Sequence, residues 1–353
     1  MKAFSLPLLF AAFLLLADAF HASPTSLRRS SAHSGDPELS QSQQELEKAI
    51  TCLSDDVGQA VGGIVLLLHG TGATGDQTWL HGPYTEILPK LSPGFDVCYL
   101  NFPNRSLSDA QVTAEYIVHA TRSLAPRSAT RKISIIGHSQ GAGVNPQWAM
   151  AFWPSIRSMI NAFVALSGDF RGTLGSVSDM GFPLHNSSIL SPALYQQIAS
   201  SHYMAAQNRV APGALIQNTT SIYSKYDEIV PYTSSSLDGA ANFLLQDLCG
   251  PALIVDHYLQ VVEMSTFALA YDALLHGRAD ARRFRTRFCS TYPDGSHKKL
   301  VDALPYFHNI VAETTAIVLI HKSPGEPLLK PYVCANRDSS TPAAYCAKSG
   351  YFP

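Results

Sequence analysis

The pentapeptide Gly137-His138-Ser139-Gln140-Gly141 is where this sequence most plainly names a reaction. A Gly-x-Ser-x-Gly run that follows a strand and opens a helix lifts its serine above the end of a sheet, and the flanking glycines let the backbone turn that sharply. A serine hydroxyl is a weak nucleophile at neutral pH. It needs an imidazole to take its proton and a carboxylate to orient that imidazole, the arrangement that performs acyl transfer. On sheets of this kind the chain order is serine, acid, histidine. Of thirteen histidines, five lie beyond the candidate acids: His257, His276, His297, His308 and His321. His257 alone directly follows an apolar strand-like run, Leu253-Ile-Val-Asp256, which makes it the expected base. Two carboxylates compete to orient it. Asp227 ends the strand-like run immediately before that of His257, and Asp169 follows the first strand after the nucleophile helix. Chain order favours Asp227 and keeps Asp169 as the alternative. Asp256, next to the base, would point to the opposite side of an extended chain.

Acyl transfer also needs donors for the negative oxygen of its tetrahedral intermediate. The amide after the nucleophile belongs to Gln140. The loop His69-Gly70-Thr71-Gly72-Ala73-Thr74-Gly75 offers further amides and the Thr71 hydroxyl. No Gly-Lys-Ser/Thr follows that loop, so a phosphate-binding role is disfavoured.

The elements that must position these groups alternate in the order of a parallel sheet covered on both faces by helices, an α/β architecture. Strands are expected over residues 63–69, 96–102, 132–137, 161–166, 221–226 and 252–255, and helices over 110–124 and from the serine to Phe152. Residues 1–19 have a lysine, an apolar stretch too short to span a bilayer comfortably, and Ala17-Asp18-Ala19, the pattern of a cleaved export signal. Residues 20–45 are rich in Ser, Gln and charge and read as a propeptide or disordered tail; folding is expected from about Leu46, as one domain over 46–353. The 353 residues are 46% hydrophobic and 15% charged, enough for a sizeable core. With 25 basic against 27 acidic side chains the net charge is -2, which provides no field to recruit nucleic acid. No later segment reads as transmembrane, and no His/Cys/Asp cluster has metal-ligand spacing. Six cysteines behind an export signal suggest three disulfides, in any of 15 pairings. Asn104, Asn186 and Asn218 are glycan acceptors by tripeptide. Trp148 and Trp153 read as core, and the arginines at 278, 282, 283, 285 and 287 as a solvated face.

Seven blocks occur in an order that resembles the fungal lipase B family of α/β-hydrolases across about residues 50 to 350. They are Leu68 to Gly75, Gln111-Val-Thr-Ala-Glu-Tyr-Ile-Val118, Ser139-Gln140-Gly141, Phe152-Trp-Pro-Ser-Ile-Arg-Ser158, Asp169-Phe-Arg-Gly-Thr173, Asp227-Glu-Ile-Val230 and Cys249-Gly-Pro-Ala-Leu-Ile-Val-Asp-His257. The resemblance implies a secreted α/β-hydrolase with a Ser139, Asp227, His257 triad and an oxyanion hole from Thr71 and Gln140. It implies that Asp169 and Gln197 lie by the nucleophile, and that the substrate is a carboxylic ester such as a triacylglycerol, met at a lipid–water interface by a monomer without metal or cofactor. It implies bridges Cys52–Cys98 and Cys249–Cys289, leaving Cys334 and Cys346 for a third. One position departs from the pattern. His138 stands where a reference member of the family has the Trp that floors its small alcohol-side pocket, so a roomier, more polar alcohol pocket is expected. Residues 174–191 are also longer than in that member, which leaves room for a larger cover over the site.

Overall fold

The computed structural model describes residues 35–173, 190–297, 322–335 and 343–347. Its organising element is β2, Ile64–Leu68, in which every residue is buried. A strand sends alternate side chains to opposite faces, and here both faces are apolar. Ile64, Leu66 and Leu68 enter one core with Ala114, Ile117 and Trp148, while Val65 and Leu67 enter a second with Tyr84, Phe267 and Leu269. Each such side chain contributes about 1.5–3 kcal/mol when fully buried. Two helices, Ala110–Leu124 and Val144–Phe152, cover the first face, and Met264–His276 covers the second. Trp148 and Trp153 are core residues, the former stacked on Tyr203 at 4.0 Å between ring centres.

The other strands are β1 (Ile50–Cys52), β3 (Asp96–Leu100), β4 (Ile133–His138), β5 (Ile160–Leu166), β6 (Thr219–Tyr223) and β7 (Ala241–Leu244). The sheet order is β1-β3-β2-β4-β5-β6-β7, with β1 antiparallel to β3 and every other pair parallel. This is the α/β-hydrolase arrangement expected above. The strand bearing the serine, β4, therefore lies at the middle of the sheet, supported on both sides.

One expected strand does not form. Residues 252–255 have no ladder partner among the described residues; the place beside β6 is taken by β7, paired from Thr220↔Ala241 to Tyr223↔Leu244. Gly250, at φ 86, and Pro251 interrupt the approach to the apolar run, which keeps Val255 buried and Ile254 exposed without joining the sheet. The fifth expected strand starts two residues early, at Thr219, and ends at Tyr223.

Ordered packing also begins before Leu46. The Asp36 carboxylate meets Arg122 at 2.6 Å, Trp153 Nε1 donates to the Pro37 carbonyl, and Ser40 donates from its amide and hydroxyl to Glu115. A capping box from Ser42 and Glu45 then starts the helix Gln43–Lys48. Burial pushes the Glu115 carboxyl up to about 7, against the pull of the Ser40 bonds. Residues 1–34, with the expected signal, and the 174–189 part of the expected cover lie outside the described residues.

The three disulfides pair as expected: Cys52–Cys98 across β1 and β3, Cys249–Cys289, and Cys334–Cys346. Within the arginine run, Arg282 pairs with Asp280 and Arg283 with Asp272. Asn104 is exposed, whereas Asn218 is half-buried and donates one side-chain N–H to the Asn161 carbonyl at 2.8 Å. Asn186 is outside the described residues.

Candidate active site

Ser139 follows the last residue of β4 at φ +58, a left-handed conformation that costs an L-residue roughly 1–2 kcal/mol. The two glycines of the pentapeptide answer to specific collisions. A Cβ on Gly137 would overlap the Gly141 carbonyl, and one on Gly141 would overlap the His69 carbonyl of the neighbouring loop. Gly70 belongs to the same set, since a Cβ there would come within 2.7 Å of Ser139 Cβ. The main chain of the loop is thus held directly against the candidate nucleophile.

His257 and Asp227 are brought together. His257 Nδ1 lies 2.9 Å from Asp227 Oδ2 and 3.0 Å from Oδ1, with the imidazole and carboxylate 4% and 1% exposed. Because the carboxylate accepts there, Nδ1 carries the proton and Nε2 is left as the base. Asp227 Oδ1 also accepts from the Ile229 and Val230 amides, at 3.0 and 2.7 Å. Burial disfavours both charges, but each partner outweighs it for the other: the His257 imidazole is held above the usual histidine range and the Asp227 carboxyl below the usual carboxylate range. His276 instead faces Asp272, His297 Nδ1 faces the Ser290 carbonyl, and His308 and His321 are outside the described residues.

Asp169, the alternative acid, is placed elsewhere. Its Oδ1 accepts from the Val144 amide at 3.0 Å, at the first turn of the helix after the nucleophile, and its backbone and carboxylate fill the space a Cβ on Gly143 would need. Asp169 Oδ2 is buried with no hydrogen-bond partner among the described residues, and burial pushes this carboxyl up to about 6 despite the Val144 bond. Asp256 Oδ1 accepts from the Leu259 amide and belongs to a local turn.

In the glycine loop, the Thr71 hydroxyl lies 2.7 Å from Gln140 Oε1 and 3.0 Å from Gln197 Oε1, two acceptors sharing one proton. Gln140 Nε2 donates to Asn145 Oδ1, and Gln197 Nε2 to the Ala193 carbonyl. Thr71, Gln140 and Gln197 are therefore neighbours. The loop itself is fastened by residues the sequence did not single out. Gly72 donates its amide to the Arg105 carbonyl at 2.8 Å, and Arg105 Nε donates back to the Gly72 carbonyl at 2.7 Å. His69 Nε2 accepts from the Phe102 amide, so its proton sits on Nδ1 and is given to the Gly70 carbonyl at 2.8 Å; burial keeps this imidazole neutral, its pKa lowered to about 4. Arg105 left one trace in the sequence, the unbroken polar run from Asn104 to Ser106, whose three residues all take positive φ.

His138 is 6% exposed, and its ring centre is 4.7 Å from that of His257. Burial, with His257 adding to it, lowers its pKa to about 3, so it is neutral at any working pH. Glu228 reaches the main-chain amide of His257 at 3.1 Å, a contact with no signal in the sequence beyond its place after Asp227.

A search of family models finds none that matches the chain. Over 308 residues it is 30% identical to "Lipase B" of Pseudozyma antarctica, covering 84% of this chain and 86% of that protein. The crystal structure of Aspergillus fumigatus lipase B matches with a TM-score of 0.73 at 27% identity, over 85% of this chain and 74% of that one.

Proposed function

Because the chain belongs to the fungal lipase B family, we propose that it is an exported serine hydrolase of carboxylic esters with triacylglycerols as its substrate class. What supports this most is the buried Asp227–His257 pair, whose main chain is bonded to His138, the residue before Ser139 and its left-handed turn. His257 takes the Ser139 proton as the hydroxyl attacks the ester carbonyl. The Gln140 amide and Thr71 stabilise the oxyanion, and the alcohol leaves with the proton returned by His257. Water, deprotonated by the same imidazole, then frees the acid; an alcohol in its place gives a new ester. Asp169 and Gln197 border the site, and every step is carried by the chain's own side chains and amides. The three disulfides and residues 1–19 support export, with the mature protein acting as a monomer on lipid. Among the described residues no helix is long and apolar enough to cross a membrane.

Labelling with a serine-directed phosphonate should place the adduct on Ser139, and a substrate panel should show faster turnover on emulsified triacylglycerol than on a polyester film. An unlabelled protein would remove the enzymatic reading altogether; preference for the film, or for acyl transfer to alcohol in dilute aqueous solution, would move it to another serine hydrolase class.

We also assign His138 to the alcohol side of the site. Replacing it with Trp should fill that space and lower the relative kcat/KM for esters of bulky over small secondary alcohols by about tenfold. Equal ratios in parent and His138→Trp would remove His138 from substrate selection.

A further inference from the structure

The absence of a strand at 252–255 creates a mechanical problem for the proposed base. His257 sits on an irregular connection that, among the described residues, makes no ladder hydrogen bonds along 252–257 to fix its main chain. Such segments are the ones that move, yet general-base catalysis needs the imidazole within hydrogen-bond reach of the serine. Two side chains from other parts of the fold occupy the main-chain groups that a sheet neighbour would have taken. Glu228 Oε2 accepts from the His257 amide at 3.1 Å, and His138 Nε2 lies 2.9 Å from the His257 carbonyl. A carbonyl can only accept, so Nε2 is the protonated nitrogen of His138 and donates. Glu228 adjoins Asp227, the partner of the imidazole, and His138 adjoins Ser139.

We infer that Glu228 and His138 are positioning residues that clamp the main chain of His257 from both sides, holding a loop-borne base in register with the nucleophile one residue beyond His138. This rests on the triad proposed above. Each clamp residue is bonded to its neighbour in the chain, so nucleophile, acid and base are tied into one frame: Ser139 through His138, Asp227 through Glu228. The charged and titratable groups facing His257 are Asp227, Glu228, Asp169, His138 and Tyr258, the last with its ring edge-on at 5.5 Å. Of the two clamps, only Glu228 adds charge, and that charge favours the protonated imidazole.

Four single variants separate clamping from simple packing. Glu228→Ala and His138→Leu remove the acceptor and the donor; Glu228→Gln and His138→Gln keep them at nearly the same reach. Phosphonate labelling of the parent at Ser139 comes first, so that failure of the triad itself is recognised separately. On a soluble ester, Glu228→Ala should lower kcat by about five- to fiftyfold with KM changed less than about twofold, His138→Leu should lower kcat by a similar factor, and the Gln variants should recover kcat to within about threefold of the parent. Glu228→Gln should also move the acid limb of kcat/KM to lower pH by a few tenths of a unit at low salt, an effect that fades above ~0.5 M salt because Glu228 is exposed, while His138→Gln leaves the limb in place. Retention of kcat within about twofold in Glu228→Ala and His138→Leu, or equal losses in the Gln variants, would overturn the clamp. Should the Ala and Leu variants not fold, Glu228→Asp decides, because it keeps the charge but is one methylene too short to hold the His257 amide: a loss of kcat with the acid limb in place supports the assignment, and kcat within about twofold of the parent refutes it.

Discussion

Ser139→Ala should lower ester turnover by on the order of 10⁴-fold or more while leaving the melting temperature within about 2 °C of the parent. The size of the loss follows from the nucleophile being irreplaceable: without the hydroxyl no covalent acyl intermediate forms, and the remaining rate comes from binding and oxyanion stabilisation alone. The fold should be indifferent. Alanine keeps the Cβ against which Gly70 packs, and the turn is imposed by the close approaches at Gly137 and Gly141 rather than by the serine oxygen. Ester hydrolysis measured beside near-ultraviolet circular dichroism checks both halves; a variant that is folded and still turns over at more than about a tenth of the parental rate would disprove the role of Ser139.

Asp227→Asn should cost about 10⁴-fold in kcat, and Asp169→Asn no more than about tenfold. The first number has a geometric origin. Oδ1 of Asp227 is fixed by two amide donors, from Ile229 and Val230, so the oxygen of an asparagine would take that place and its N–H₂ would face His257 Nδ1. A donor opposite Nδ1 forces the imidazole proton to Nε2, which then cannot accept the serine proton. At Asp169 the asparagine oxygen would keep the Val144 amide and the N–H₂ would replace an oxygen that has no partner among the described residues. Its signature should appear in stability instead. The Asp169 carboxyl is raised from 3.8 to about 6 in the fold, so the native state binds more protons than the unfolded chain between those values and loses stability as pH rises through them. The penalty approaches roughly 3 kcal/mol above pH 6, and Asp169→Asn should remove this slope from the pH dependence of thermal unfolding. Comparable rate losses in both variants would mean that the orienting carboxylate has been misassigned.

Much of this arrangement was legible in the amino-acid sequence because it rests on local patterns. The helix Ala110–Leu124 ends where an apolar stripe meets Pro126, and the continuous aliphatic run of β2 has few alternatives to a doubly buried strand. The pentapeptide declares its turn because sterics at two glycines leave little else possible. What stayed hidden depends on partners distant in the chain. Residues 252–255 have the apolar composition of a strand, but Ala241–Leu244, short and without a β-branched residue, wins the edge by following β6 more closely. A strand is defined by its neighbour, and composition does not name the neighbour. Within the site, Asp227 was favoured by chain order alone, whereas the contacts of His138 and Glu228 with the His257 main chain span 119 and 29 residues. The fastening roles of Arg105 and His69 were equally hidden, since each holds the glycine loop through bonds to main-chain atoms that every residue possesses.

The clasp formed by residues 36–48 decides where trimming of the N-terminus can stop. A maturation cut at Leu46, the boundary that composition alone favours, would strip the carboxylate from Arg122, the proline carbonyl from the Trp153 indole and all three donors from the interior face of Glu115. A processing protease that leaves the hydrolase intact must therefore act upstream of Asp36, and a dibasic-cleaving enzyme has a fitting target there in Arg28-Arg29.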